Sequence, residues 1–88
     1  MLSPTTNDAE ALALAALAAT LTDERRARWF LDLTGLDVDE LRARAGERSL
    51  LAATLAFLEA HEPDLIEVSK LLNVQPETLF AARSELER

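Results

Sequence analysis

Segments rich in leucine and alanine run along the whole chain, and residues typical of helix ends separate them. β-Branched residues are few and never alternate with polar ones over four or more positions, as a half-buried strand requires. The pattern therefore predicts an all-α protein. The predicted helices cover about residues 8–20, 22–35, 37–46, 49–61, 63–73 and 76–87.

Two pairs of residues have the spacing of a capping box, in which each side chain accepts a hydrogen bond from the backbone N–H of the other residue. Asn7 with Glu10 is predicted to open the first helix, and Asp37 with Glu40 the third. Both pairs satisfy backbone N–H groups that a helix start leaves free.

Single residues predict the other helix ends. Thr22 and Ser49 are the expected N-caps of the second and fourth helices, because a hydroxyl oxygen can accept from a free backbone N–H. Pro63 and Pro76 suit a first helical turn, where the missing N–H would be unpaired in any case. Gly35 suits the left-handed turn after a helix.

Six short helices joined by short turns favour a compact orthogonal bundle of five to six helices over a long up-and-down bundle. Residues 1–6 are expected to form a flexible N-terminus, and residues 7–88 a single all-helical domain. The predicted core is mostly leucine, and consists of Leu14, Leu17, Leu21, Trp29, Phe30, Leu33, Leu41, Leu51, Leu55, Leu58, Leu65, Val68, Leu72, Leu79 and Leu86.

The first helix lacks a polar face over most of its length, because residues 11–19 are all alanine or leucine. A helix that is apolar all round is normally buried on more than one side. In so small a domain this leaves two interpretations. The helix is either central in the monomer, or it meets another chain.

The chain is acidic, with a formal net charge of −7. This charge disfavours binding to nucleic acid or to an anionic membrane, both of which require lysine and arginine. The middle of the chain is nevertheless slightly basic, with six arginines and five acids between Arg25 and Arg48. Such a segment forms either a solvated face with intrahelical ion pairs or a docking surface for an acidic partner.

Composition also bears on the cellular compartment. The sequence contains no cysteine, which fits a reducing compartment and excludes a disulfide framework and a cysteine zinc site. No signal peptide is recognisable in the first residues. The longest uncharged stretch, residues 11–22, is far shorter than the ~20 apolar residues of a membrane span. We therefore expect a soluble, cytoplasmic protein.

Several short segments follow one another in a recognisable order. They are Ala9-Glu10-Ala11-Leu12-Ala13-Leu14, Trp29-Phe30-Leu31-Asp32-Leu33-Thr34-Gly35-Leu36, Asp39-Glu40-Leu41-Arg42, Phe57-Leu58, Asn73-Val74-Gln75-Pro76-Glu77 and Ala81-Ala82-Arg83. In this order they resemble a family of small alphaproteobacterial proteins described as a domain of unknown function. The resemblance covers about residues 9–86 and concerns mostly helix caps and core positions. It implies a bacterial cytoplasmic protein and supplies no catalytic residues.

The last two helices have the spacing of a helix-turn-helix. Ser69 stands where the helices would cross, Asn73 in the turn, and Leu79 faces inward. As a DNA-binding surface this pair is poor, because Arg83 is the only strong donor on the second helix, and reading guanine requires arginine or lysine. Packing against protein is the alternative use of this geometry.

Catalytic and metal-binding patterns are weak. His61 is the sole histidine and stands near a helix end, where a structural role is expected. Asp37, Asp39 and Glu40 lack the further ligands of a calcium loop, and capping explains two of them. Two glycines cannot form a phosphate-binding loop. We expect no catalytic residue, cofactor, metal or small-molecule ligand.

The favoured interpretation is a protein-interaction or regulatory module without catalytic activity, with a protein partner or a second copy in a homodimer. The contact is expected on the first helix, at Leu12 and Leu14, or on the arginine face. That face consists of Arg25, Arg26 and Arg28. The alternatives are a helix-turn-helix DNA-binding protein and a small enzyme or ligand carrier.

Overall fold

A computed structural model of the chain describes the backbone of residues 5–88 and the side chains of residues 9–88. The described residues form six α-helices and no strand, which confirms the all-α bundle. Of the flexible terminus expected at residues 1–6, residues 1–4 lie outside the described residues, and residues 5 and 6 belong to the first helix. The helices are α1 (Thr5–Thr20), α2 (Glu24–Thr34), α3 (Val38–Ala43), α4 (Arg48–Glu59), α5 (Glu62–Leu72) and α6 (Pro76–Leu86).

Helix α1 lies at the centre of the bundle, where it packs against α6, α4, α5 and α2. Its contact side carries Ala9, Ala13 and Ala16, all of which are buried. These small side chains allow neighbouring helix axes to approach closely. The opposite side, with Leu14 and Ala18, stays exposed. The helix is therefore central, as one interpretation held, and still presents an apolar stripe at the surface.

The clearest predicted helix ends are confirmed. The Glu40 backbone N–H donates to Asp37 Oδ1 at 2.8 Å, and the Asp37 N–H donates to Glu40 Oε1 at 3.0 Å, so the capping box of α3 is complete. Gly35 ends α2 with a φ of 75°, and its N–H donates to the Leu31 carbonyl. Pro63 and Pro76 lie in the first turns of α5 and α6.

Asn73 ends α5 in the left-handed conformation, with a φ of 60°. The Val74 N–H donates to the Ser69 carbonyl and the Asn73 N–H to the Lys70 carbonyl. These two bonds form a Schellman motif, which satisfies carbonyls that the helix end leaves free.

Three of the predicted helix starts are wrong, those of α1, α2 and α4. Helix α1 begins at Thr5, so Asn7 lies inside the helix rather than at its N-cap. The N-cap of α2 is Asp23, whose Oδ1 accepts from the Arg26 N–H at 3.0 Å. The predicted cap, Thr22, instead donates its hydroxyl to the Ala19 carbonyl, because the end of α1 places this acceptor within reach.

Helix α4 begins at Arg48 with Glu47 at the N-cap position, so the predicted cap, Ser49, lies inside the helix. The Arg48 guanidinium donates to the carbonyls of Glu85 and Leu86, at 3.0 and 3.2 Å, and pairs with Glu10 of α1 at 3.1 Å. It thereby adds side-chain hydrogen bonds to two carbonyls at the end of α6. These contacts between helices, which local sequence cannot show, hold the first turn of α4 in place.

Most of the predicted core is buried, but four of its members are exposed. Leu14, Leu21, Trp29 and Leu33 expose 47, 38, 40 and 60% of their surface. The reason in α2 is that Arg26 and Phe30, one turn apart, take the inward face, so Trp29 and Leu33 lie on its outer side. Leu72 is partly buried against the core. The confirmed members are Leu17, Phe30, Leu41, Leu51, Leu55, Leu58, Leu65, Val68, Leu79 and Leu86.

Candidate functional site

The three arginines of the face predicted on α2 differ in burial. Arg26 is 1% exposed, whereas Arg25 and Arg28 lie at the surface. The Arg26 Nη1 donates to Glu67 Oε1 at 2.9 Å and to Asp64 Oδ1 at 3.4 Å. Arg26 is therefore a structural residue of the interior and is not accessible to a partner.

Arg26 joins three helices. Besides the two carboxylates of α5, it reaches the end of α1, where its Nη2 donates to the Ala19 carbonyl at 3.0 Å. Asp64 is itself buried and also accepts from Arg25 Nη2 at 3.1 Å. We call Arg26, Asp64, Glu67 and the Ala19 carbonyl the arginine junction. Breaking such a buried pair by removing one partner typically destabilises a protein by about 3–5 kcal/mol.

The exposed part of α2 forms a shallow depression of mixed charge. Arg25, Arg28 and Trp29 line it together with Glu24 and Asp32, around a volume of about 520 Å³. Two acids and two bases share this surface of α2, which is typical of a solvated face. The geometry does not concentrate positive charge here.

His61 belongs to an aromatic cluster. Its ring centroid lies 4.1 Å from that of Trp29 and 4.7 Å from that of Phe57, and its Nδ1 donates to the Phe57 carbonyl at 2.7 Å. The Phe57 ring in turn contacts Phe30 edge-on at a centroid distance of 5.2 Å. The histidine thus packs the end of α4 against Trp29 of α2, which is a structural role.

A second depression, the α1–α3 groove, is mainly apolar. It has a volume of about 240 Å³ and lies between α1 and the segment formed by α3 and the turn after it. Leu17 and Leu41, both 3% exposed, lie deepest, whereas Leu14 and Val38 are about half exposed. The lining residues are Leu14, Leu17, Ala18, Leu21, Val38, Leu41, Arg42 and Ala45.

The structure separates the residues that the sequence analysis grouped. Leu14 lines the α1–α3 groove, whereas Leu12 is half-buried and packs against the core. Arg25 and Arg28 line the other depression. The predicted contact residues therefore belong to different surfaces.

Sequence reasoning missed the second wall of the groove. Val38, Leu41, Arg42 and Ala45 follow one another at i, i+3, i+4 and i+7, the spacing of one helix face. The same spacing relates the α1 lining residues at positions 14, 17, 18 and 21. These two matching stripes were visible in the sequence, but their juxtaposition was not.

The helix-turn-helix pair offers little to DNA. The Arg83 Nε and Nη2 donate to both carboxylate oxygens of Glu59, at 2.8 and 2.9 Å, and Nη1 donates to Glu87 at 3.1 Å. The hydrogen bonds that it donates to Glu59 raise the pKa of the Arg83 guanidinium above its ordinary value. The one strong donor of α6 is thus occupied within the protein.

Two of the three acids considered as cation ligands cap a helix. Asp37 and Glu40 satisfy each other's backbone N–H groups. Within the part of the chain that the structure describes, no three histidine or acidic side chains are grouped as a metal site would require.

None of the described helices combines the length and the apolar character needed to cross a membrane.

A family model described as "Protein of unknown function (DUF3572)" matches residues 6–88, nearly the whole chain. The chain therefore belongs to this family, which confirms the expected membership of a domain family of unknown function. No curated protein and no solved structure shows significant similarity to the chain.

Proposed function

We propose that this member of the DUF3572 family is a protein-interaction or regulatory module without catalytic activity, which binds another protein through the α1–α3 groove. One observation carries the proposal. Leu14, Leu21 and Val38 are 47, 38 and 53% exposed and line the same groove. Grouped exposed apolar side chains typically mark interaction surfaces.

The groove is a better contact surface than the depression on α2. Polar surface is a minor part of the groove, and only Arg42 among its lining residues is charged. The depression on α2 carries two acids and two bases, which stay well solvated without a partner. Burial of the exposed leucines would stabilise a complex by roughly 25 cal/mol per Å² of apolar surface removed from water, before the costs of association are subtracted.

The setting that we propose is the bacterial cytoplasm. The resemblance of the sequence to small alphaproteobacterial proteins supports a bacterial origin. The lack of cysteine fits a reducing compartment.

The proposal is tested by affinity capture of the tagged full-length chain from cells of its source, with the captured proteins identified by mass spectrometry. Leu14→Glu puts a charge into the groove and should abolish capture of the specific partner. Leu33→Glu is the matched control, because Leu33 is 60% exposed and lies outside the groove lining. Thermal melting of both variants checks that they fold.

A nuclease arm distinguishes protein binding from DNA binding. Under the proposal, capture persists after nuclease treatment and in the Leu33→Glu variant. Capture that disappears with nuclease would support the helix-turn-helix alternative, whose affinity should then fall steeply with salt. Equal capture by wild type and Leu14→Glu would place the contact elsewhere.

A further inference from the structure

We infer that the α1–α3 groove accepts an acidic amphipathic helix of a different protein, one of whose carboxylates pairs with Arg42. The inference rests on the proposed function, that the groove binds protein. It adds the shape and the charge of the occupant.

The shape of the groove suits a helix. Each wall presents four residues at i, i+3, i+4 and i+7, at positions 14–21 on α1 and 38–45 on the α3 side. On the α1 side these seven residues rise by about 10 Å, which matches two turns of a bound helix. On the other side α3 forms the wall as far as Ala43, and the turn that follows brings in Ala45. A helix that enters such a groove contacts it with apolar residues at the same spacing.

Charge distinguishes the occupant further. Arg42 is exposed and is the only charged residue that lines the groove. Among the described residues, no carboxylate pairs with Arg42, and Arg28 is the only other arginine without a carboxylate partner. The remaining arginines form ion pairs within the chain, and are Arg25, Arg26, Arg44, Arg48, Arg83 and Arg88.

An unpaired guanidinium at the edge of an apolar groove fits a partner carboxylate. Complementary charges at the rim of an interface speed association and exclude partners of the wrong sign. A partner helix with one acid about a turn away from its apolar anchors would satisfy both features of the groove.

A second copy of the chain does not supply that carboxylate through the same face. In a two-fold symmetric dimer the groove would meet the groove of the other copy. The lining residues contain no acid, so Arg42 would face apolar side chains or its own symmetry mate. A different protein therefore fits the groove better.

The test begins with a photo-crosslinking amino acid placed at Ala18, an exposed residue of the groove, in cells of the source. Ala53, an exposed alanine of α4, is the matched control position. We expect an adduct at position 18 that is absent at position 53. The peptide attached to it should carry apolar residues at helical spacing and at least one acid.

Affinity of the purified full chain for the cross-linked protein then tests the charge. Arg42→Glu should raise the Kd about tenfold, and substituting arginine for the partner's acid should restore most of the lost affinity in the Arg42→Glu variant. Arg28→Glu is the matched control, because Arg28 is also exposed and unpaired among the described residues; it should change the Kd less than twofold.

The outcomes separate the two proposals. Loss of binding in Leu14→Glu with an unchanged Kd in Arg42→Glu would leave the groove as the contact and overturn the acidic helix. An adduct with a second copy of the chain, or with a segment that lacks acids, would overturn the inference in the same way. No adduct at position 18, together with wild-type binding by Leu14→Glu, would overturn the proposed function as well.

Discussion

Helix α1 borders two regions that treat polar and apolar side chains in opposite ways. At the arginine junction, the charged Arg26 is 1% exposed, with its guanidinium bonded to carboxylates and to a carbonyl of α1. At the α1–α3 groove, the apolar Leu14 is 47% exposed. From hydropathy alone, Arg26 would be expected at the surface and Leu14 in the core.

The difference shows that partners, rather than polarity, decide which side chains this small bundle can bury. A charge tolerates burial when hydrogen bonds and an opposite charge replace its hydration. A leucine is buried only where enough neighbouring surface covers it, and α3, with six residues, covers little of α1. The junction therefore contributes to stability, whereas the groove leaves apolar surface free for binding.

The largest expected effect is at the junction. Arg26→Ala leaves the Asp64 carboxylate buried with only Arg25 as a partner, and should lower the free energy of unfolding by about 3–5 kcal/mol. Arg28→Ala, at the surface of the same helix, should change it by less than about 0.5 kcal/mol. Urea unfolding measures both. Equal effects of the two substitutions would show that the junction contributes no more than a surface arginine.

The groove should separate into a structural floor and a binding rim. Leu41→Ala at the floor, where the side chain is 3% exposed, should cost about 2–5 kcal/mol of stability. Val38→Ala at the rim, where it is 53% exposed, should cost less than about 0.5 kcal/mol. The same unfolding assay gives both values. A large loss in Val38→Ala would mean that the rim is part of the core.

The glutamate substitution at position 14 should affect binding much more than folding. Because the side chain is already half exposed, Leu14→Glu should lower the free energy of unfolding by less than about 1 kcal/mol. Thermal melting of the free chain measures this. An unfolded Leu14→Glu variant would contradict the view that this stripe of α1 is surface, and Val38→Glu would then take its place in the capture experiment.

The smallest expected effect is a pH dependence at the start of α2. The hydrogen bond from the Arg26 N–H lowers the pKa of Asp23. The folded carboxyl thus stays ionised below the unfolded pKa of about 3.9. Its contribution to stability is present above that value and is lost as pH falls through the lower folded pKa.

Asp23→Asn keeps a side-chain acceptor at the N-cap but cannot titrate. The free energy of unfolding should therefore fall less between about pH 5 and pH 3 in this variant than in wild type. These two pH values lie about one unit on each side of an ordinary carboxyl pKa. Thr22→Ala removes a neighbouring hydroxyl that does not titrate, and should keep the wild-type slope. Identical slopes in all three proteins would exclude Asp23 as a source of the dependence.

Helix ends that depend on one local motif were predictable from the sequence. Gly35 and Asn73 adopt positive φ, the Asp37–Glu40 box is complete, and both prolines stand in first turns. Each of these requires atoms within a few residues of one another. The wrong start near Ser49 lies where Arg48 bonds to the end of α6, far away in the chain. At Thr22 two local arrangements compete, because its hydroxyl bonds back to Ala19 while Asp23 caps the helix.

The candidate site was predictable in part. The apolar character of α1 pointed to Leu14, but the same uniformity hid which of its faces is buried, because a run of alanine and leucine has no polar side to mark. Arg26 could not be distinguished from Arg25 and Arg28 by charge. Its burial follows from the position of α5, which brings Asp64 and Glu67 to it across the bundle.

The sequence by itself determined the helical class, a bundle of five to six short helices and most of the helix ends, because capping, proline and glycine effects act over a single turn. The tertiary structure decided which arginine is buried, which leucines remain exposed, and that α1 and α3 form one groove. These outcomes depend on surfaces that residues far apart in the chain bring together, and the free energy of burying a side chain is set by those surfaces rather than by its own polarity.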